Sequence, residues 1–290
     1  MLFSILIIFI CGYFFKLFKT DYSKPLIDIV IYISFPALII HKIYNLHYVD
    51  DIFNVFFLSF ATLLAGMFFA IFIANLLKFE RKTKASFLLV STLGNTSFLG
   101  FPVIVSMFGD KHLIWAIFFD EITFIGLVTL GSLFVAYGSE SKMSIKKIVI
   151  DILKFPPFPA LLFALFLRNF EVNIDFLKPI GDSLIFLVIL AIGMRFSFKD
   201  VKRNLKLASL VLIIKMVLVP FFIYFLITQF FSISKIPYQI SFIESAMPPM
   251  VMASVLAIEA KLKEDLAISA VGLGILVSFV VLPVYKYFLI

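Results

Sequence analysis

The chain has 290 residues, of which 62% are hydrophobic and only 15% charged, and its mean hydropathy is +1.12. A soluble domain of this length could not cover so much apolar surface, so the composition excludes one and indicates a polytopic membrane protein. The formal charge of +7 implies no nucleic-acid partner, because the basic residues fall in short loops between apolar runs, as membrane topology demands.

Taken in chain order, runs of the ~17–25 apolar residues that a membrane helix needs recur ten times. They lie at about 1–18, 26–40, 52–77, 85–108, 113–137, 148–167, 177–194, 207–229, 238–258 and 266–288. The first run has no basic residue before it and no small-residue cleavage pattern after it, so it reads as a retained span rather than a signal peptide. Eighteen of the 25 Lys and Arg residues fall in alternate loops, six fall on the other side, and Lys215 lies inside the eighth span. The positive-inside rule makes the rich side cytoplasmic and puts both termini outside. Cys11 is the single cysteine, and His41, His47 and His112 have no metal-ligand spacing, so no metal site is expected.

Two spans break the rules for a plain membrane helix. In the fourth, Gly94, Asn95, Thr96 and Ser97 form a polar knot, and Gly100 and Pro102 follow closely. In lipid, a backbone group freed by such a break survives only inside protein or beside a wet cavity. A simple proline kink is the bland reading of this stretch. The ninth span carries a second break, FIESAMPPMVMASVLA, with Glu244, Ser245, Pro248 and Pro249. Pro102 and Pro248 are 146 residues apart, about half the chain. Broken segments at matched places in two halves point to a secondary transporter with an internal repeat. An odd number of spans per half inverts the second half, and two of three informative loop pairs swap their basic character accordingly. The expected organisation is a first five-helix repeat at 1–137, a short cytoplasmic connector at 138–147 and an inverted repeat at 148–290.

The stretch GNTSFLGFPVIVSMFG resembles the auxin efflux carrier family, which includes plant PIN-type carriers and bacterial malonate and malate permeases. ISFPALII, ESAMPPMVMASVLA and AISAVGLGILVSFVVLPVYKYF look like the second, ninth and last spans of that family, in the expected order. The Pro-Pro pair is closer to the bacterial branch, and the large central loop of the long plant carriers is missing. The resemblance implies an all-α fold of two inverted five-helix repeats with crossed broken helices 4 and 9. That design is also found in sodium–proton antiporters and bile-acid symporters. It implies a scaffold of spans 1, 2, 6 and 7 that forms a homodimer, and a mobile transport unit of spans 3–5 and 8–10. Gly100, Pro102, Pro248 and Pro249 would lie near the crossing, and the substrate-site asparagine falls on Asn95.

A carboxylate in a low-dielectric cavity needs donors and positive potential, which half-helix N-termini supply. Asn95 adds an amide, and Gly94, Thr96 and Ser97 complete the candidate substrate site; the alternative is that Asn95 merely patches the break. Asp120, Glu121, Lys215 and Glu244 lie roughly 9–12 Å inside their spans, counted at ~1.5 Å per residue. Buried charges at that depth are paired or functional, so they are candidates either for coupling to a proton or sodium ion or for a structural Lys–carboxylate pair.

These observations together lead to a secondary active transporter of a small organic anion in the cytoplasmic membrane, working by elevator-type alternating access and needing no cofactor. A cation/proton antiporter or sodium-coupled symporter on the same fold is the alternative, and a membrane receptor or sensor is a more distant one. The spans carry no HExxH, paired-Asp or Ser–Lys arrangement, so an enzyme is not expected.

Overall fold

The computed structural model describes residues 2–18, 20–45, 50–139, 150, 153–154, 156–196 and 198–289. His47 and most of the expected connector, 140–147, lie outside the described residues. All the named elements among the described residues are helices, with no named strand. We label the helices α1 (Leu2–Phe18), α2 (Ser23–Tyr44), α3 (Ile52–Leu76), α4a (Arg81–Thr92), α4b (Thr96–Phe108) and α5 (Asp110–Ser139). The second half comprises α6 (Pro157–Leu167), α7 (Leu177–Arg195), α8 (Leu205–Phe230), α9a (Ile236–Ser245), α9b (Val251–Glu259) and α10 (Glu264–Phe288). Among the described residues, six helices (α2, α3, α5, α7, α8 and α10) are long and apolar enough to cross a membrane.

Proline shapes these helices in a repeated way. Wide five-residue turns at Val30–Ser34, Thr96–Gly100 and Ile214–Leu218 each end two residues before a proline, namely Pro36, Pro102 and Pro220. A proline has no N–H, and its ring collides with the carbonyl four residues back. Widening the preceding turn relieves that collision and lets the helix continue. The freed carbonyl then needs a donor, because lipid offers none. At Pro220 that carbonyl belongs to Met216, and the Tyr285 hydroxyl of α10 donates to it at 2.6 Å. Pro102 is therefore carried within α4b, and the break in the fourth segment lies earlier, at Leu93–Asn95.

The helices sort into two groups by contact. In one, α7 packs along α1 and α2, and α6 packs on α2. In the other, α3, α4a, α5, α8, α9 and α10 pack on one another. The groups meet where the start of α4b touches α7, where α4b touches α1, and where α2 approaches α5. The α1–α7 contact is backbone on backbone. A Cβ on Gly12 would run into the Leu190 carbonyl, and one on Gly193 into the Phe9 carbonyl. Apolar helices gain nothing from burial against lipid-like neighbours, so this close approach supplies the packing that joins them.

Gly193→Val is expected to force α1 and α7 apart and cost about 1–3 kcal/mol. Thermal unfolding in detergent checks this; a variant as stable as the parent would show that the contact is not needed.

Candidate functional site

The two breaks hold each other. The Asn95 N–H donates to the Pro248 carbonyl at 2.8 Å, and the Met250 N–H donates to the Leu93 carbonyl at 2.9 Å. Gly94 and Pro249 face each other between these bonds in an antiparallel bridge. This is a two-bond piece of sheet at the crossing of two discontinuous helices. Leu93 and Met250 adopt extended backbone, which ends α4a and starts α9b. Pro249 costs nothing there, because the two donors of the pairing are its neighbour Met250 and, across the gap, Asn95. Gly274 of α10 backs the proline pair, and a Cβ on it would stand 2.8 Å from Pro248 Cβ.

The end of α9a can be accounted for bond by bond. A helix leaves its last four carbonyls without intrahelical donors. Here the Ser245 hydroxyl donates to Phe242 O at 2.6 Å. The Ala246 and Met247 N–H groups donate to Ile243 O and Glu244 O at 3.1 and 3.2 Å. The last carbonyl, Ser245 O, accepts from Lys215 Nζ at 2.8 Å. Lys215 is 1% exposed and reaches this carbonyl past Gly94, where a Cβ would stand 2.9 Å from Lys215 Cε.

Lys215 thus binds a backbone carbonyl, and among the described residues it forms no ion pair with Asp120, Glu121 or Glu244. Of the two roles expected for these charges, a direct Lys–carboxylate pair is not formed here, and Glu244 reaches Lys215 only at longer range. The cause is the negative end of the α9a dipole, which sits where the ammonium arrives.

The three carboxylates are buried around the same crossing. Asp120 on α5 accepts a short hydrogen bond from Thr96 Oγ1, and the Ser97 hydroxyl lies against it as a second donor. Glu244 packs on Gly100, where a Cβ would stand 2.8 Å from its Oε1. Both Glu244 oxygens and Glu121 Oε2 are buried without a hydrogen-bond partner. Gly100 therefore belongs to the Glu244 contact rather than to the backbone pairing. Pro102 stands two residues further along α4b.

A cavity of about 240 Å³ opens beside the crossing. Asn95, Ser97, Asp120 and Ser132 supply its polar lining, and Phe35, Phe98, Phe124, Met250 and Leu256 are among its apolar walls. The Asn95 Oδ1 accepts from the Leu99 N–H at 3.3 Å and so caps α4b. Its Nδ2 is buried with no partner. Half of the amide is thus committed to the helix, and the other half is left without a partner. Gly94 sits behind Asn95 against Lys215, and Thr96 is turned to Asp120. Among the described residues no group of three or more His, Cys, Asp or Glu side chains could hold a metal ion.

Sequence reasoning singled out the side chains at the breaks, Ser245 among them, but not Leu93 and Met250, which act through their backbone. It also passed over Phe35 and Phe124, which carry no polar signal in an apolar run.

Two discontinuous helices joined at their breaks, with buried polar groups and a cavity beside them, are the arrangement of a membrane transport protein. The sequence profile of a family described as membrane transport protein matches residues 1–286. The chain belongs to this family, the auxin efflux carrier family. It is 26% identical to an uncharacterized transporter of Methanocaldococcus jannaschii, with 99% of this chain and 97% of that protein covered. A second uncharacterized transporter, from Methanothermobacter thermautotrophicus, is 24% identical, with 98% and 95% covered.

Lys215→Met keeps most of the side-chain volume but strands the Ser245 carbonyl in an apolar setting. The expected loss is about 1–3 kcal/mol of stability, the usual cost of a buried unsatisfied acceptor. Thermal unfolding in detergent measures it, and an unchanged midpoint would remove the capping role from Lys215.

Proposed function

We propose that the chain is a secondary transporter of a small organic anion, a monocarboxylate with an apolar body, working by alternating access. The observation that carries this reading is the buried, unpartnered Nδ2 of Asn95, a residue that lines a largely apolar cavity where two half-helices begin. The N-termini of α4b and α9b each present about half a positive charge and unpaired N–H groups to that region. A single carboxylate suits this one polar corner, and an apolar body suits the aromatic and Met walls. A dicarboxylate would leave its second charge against Phe or Leu side chains, without a donor.

The helix contacts support an elevator motion, in which α3–α5 and α8–α10 move against α1, α2, α6 and α7. The full proposal is ten spans in two inverted five-helix repeats, with a homodimer formed through the scaffold group. The cavity runs from Asn95 towards Ser132 and Leu256, near the ends of α5 and α9b. The flanking loops are rich in Lys and Arg, so that end is assigned to the cytoplasm and the conformer to an inward-facing state. The unpartnered oxygens of Glu121 and Glu244 favour, as a second reading, a carrier that also moves a cation.

Asn95→Ser tests the site directly. A serine keeps an N-cap acceptor for α4b and removes the amide donor. The variant is expected to unfold at the parental temperature and to bind substrate about 1–3 kcal/mol more weakly. Equal loss of stability and binding would reduce Asn95 to a structural patch.

A reporter active only in the cytoplasm tests the topology. Fused after Ile290, it is expected to give no signal, because the charge asymmetry places that terminus outside; strong activity would overturn the inverted repeat.

A further inference from the structure

We infer that the substrate is carried together with one proton, held between its carboxylate and Asp120. This inference rests on the monocarboxylate reading above and adds the coupling ion and the residue that holds it. Among the described residues lining the cavity, Asp120 is the one charged side chain. Two half-helix N-termini offer together about one positive charge. That suffices for one carboxylate but not for two carboxylates in an apolar cavity. Lys215 does not make up the difference, because it does not line the cavity: its ammonium sits behind Gly94 on the Ser245 carbonyl, at the negative end of α9a and within reach of Glu244. Two carboxyl groups in such a site cannot both stay ionised, whereas one acid and one carboxylate form a strong, short hydrogen bond.

The charged groups around Asp120 reinforce the deficit. Glu121 adjoins it on α5, and Glu244 on α9a lies within electrostatic reach of both Asp120 and Lys215. Helices α3 and α4b contain no charged residue. From α2, the cavity receives only Ile31 and Phe35. On α7, Lys178 and Asp182 pair with each other at 2.6 Å at an exposed end.

The step balances simply. An anion and a proton enter from the same side, and one O–H bond forms between the proton and either carboxylate oxygen. The same bond breaks when both leave on the other side. A monocarboxylate therefore crosses with no net charge. The empty carrier returns with Asp120 ionised, supported by the Thr96 and Ser97 hydroxyls.

Titration calorimetry of phenylacetate into the detergent-purified full chain, in two buffers of different ionisation enthalpy at about pH 8.5, alkaline enough for a buried carboxyl group of the empty carrier to be ionised, tests this. About one proton should be taken up per ligand bound, and the apparent Kd should rise about tenfold per pH unit. Asp120→Asn should bind phenylacetate with no proton uptake and no such slope. Binding to the parent chain without proton uptake overturns the inference and leaves the monocarboxylate reading intact. Proton uptake that persists in Asp120→Asn overturns the assignment to Asp120. If that variant does not fold, the parent's proton count and pH slope decide alone. No phenylacetate binding at any pH overturns the monocarboxylate reading, and the inference with it.

Discussion

Two backbone hydrogen bonds, Asn95 to Pro248 and Met250 to Leu93, fix everything near the centre of this molecule. A helix broken in an apolar medium exposes donors and acceptors that lipid cannot satisfy. One broken helix would need water or side chains for all of them. Two broken helices laid across each other satisfy part of that demand mutually. The pairing also sets the direction of all four half-helices, so their ends converge on one place. Two positive ends and two negative ends then meet within a few residues of each other. Lys215 answers one negative end, and the cavity lies beside the positive ones.

Much of this was legible in the sequence, for a physical reason. Gly-Asn-Thr-Ser and Pro-Pro are costly inside a membrane helix, so their presence in two apolar runs marks the breaks. One cavity is lined by Asn95 and Ser97, candidates for the substrate site, and by Asp120, a candidate for ion coupling, together with Ser132, which the sequence did not mark. Other parts were not legible. The pairing of Leu93 with Met250 uses main chain only, and backbone bonds between distant segments leave no side-chain signature. Pro102 looked like the cause of the first break, yet the wide turn before it lets α4b run straight through. The same adjustment precedes Pro36 and Pro220, so a proline in this chain marks a widened turn more often than a break.

Lys215 shows a second limit of reading charge from sequence. A lone buried lysine with three carboxylates in neighbouring segments suggests an ion pair. A helix C-terminus, however, carries no charged letter in the sequence while presenting roughly half a negative charge and an unsatisfied carbonyl. At Ser245 that partner wins. The consequence reaches the acidic residues. With the ammonium seated on the backbone, none of Asp120, Glu121 and Glu244 has it as a direct partner. Of the three, Asp120 is the one that lines the adjoining cavity.

The distribution of polar groups around the cavity bears on how the proposed motion stays inexpensive. Asn95, Ser97, Asp120 and Ser132 all come from α4b, the break before it, and α5. The facing stretch of α2 contributes Ile31 and Phe35, and Phe35 meets Phe101 of α4b edge to face at a ring separation of 5.5 Å. Hydrogen bonds to a ligand would therefore be made on one side of the cavity, by helices that pack on one another and are tied through the crossing. The other side offers only apolar surface. Sliding one group past the other would exchange apolar contacts for similar apolar contacts, each individually small. The directional bonds that hold a ligand would travel with it. A polar group on α2 at this interface would have to break and re-form a bond at every cycle, in a setting where an unmet polar group costs about 1–3 kcal/mol. Under the proposed motion, the apolar character of Ile31 and Phe35 would matter as much as the amide of Asn95.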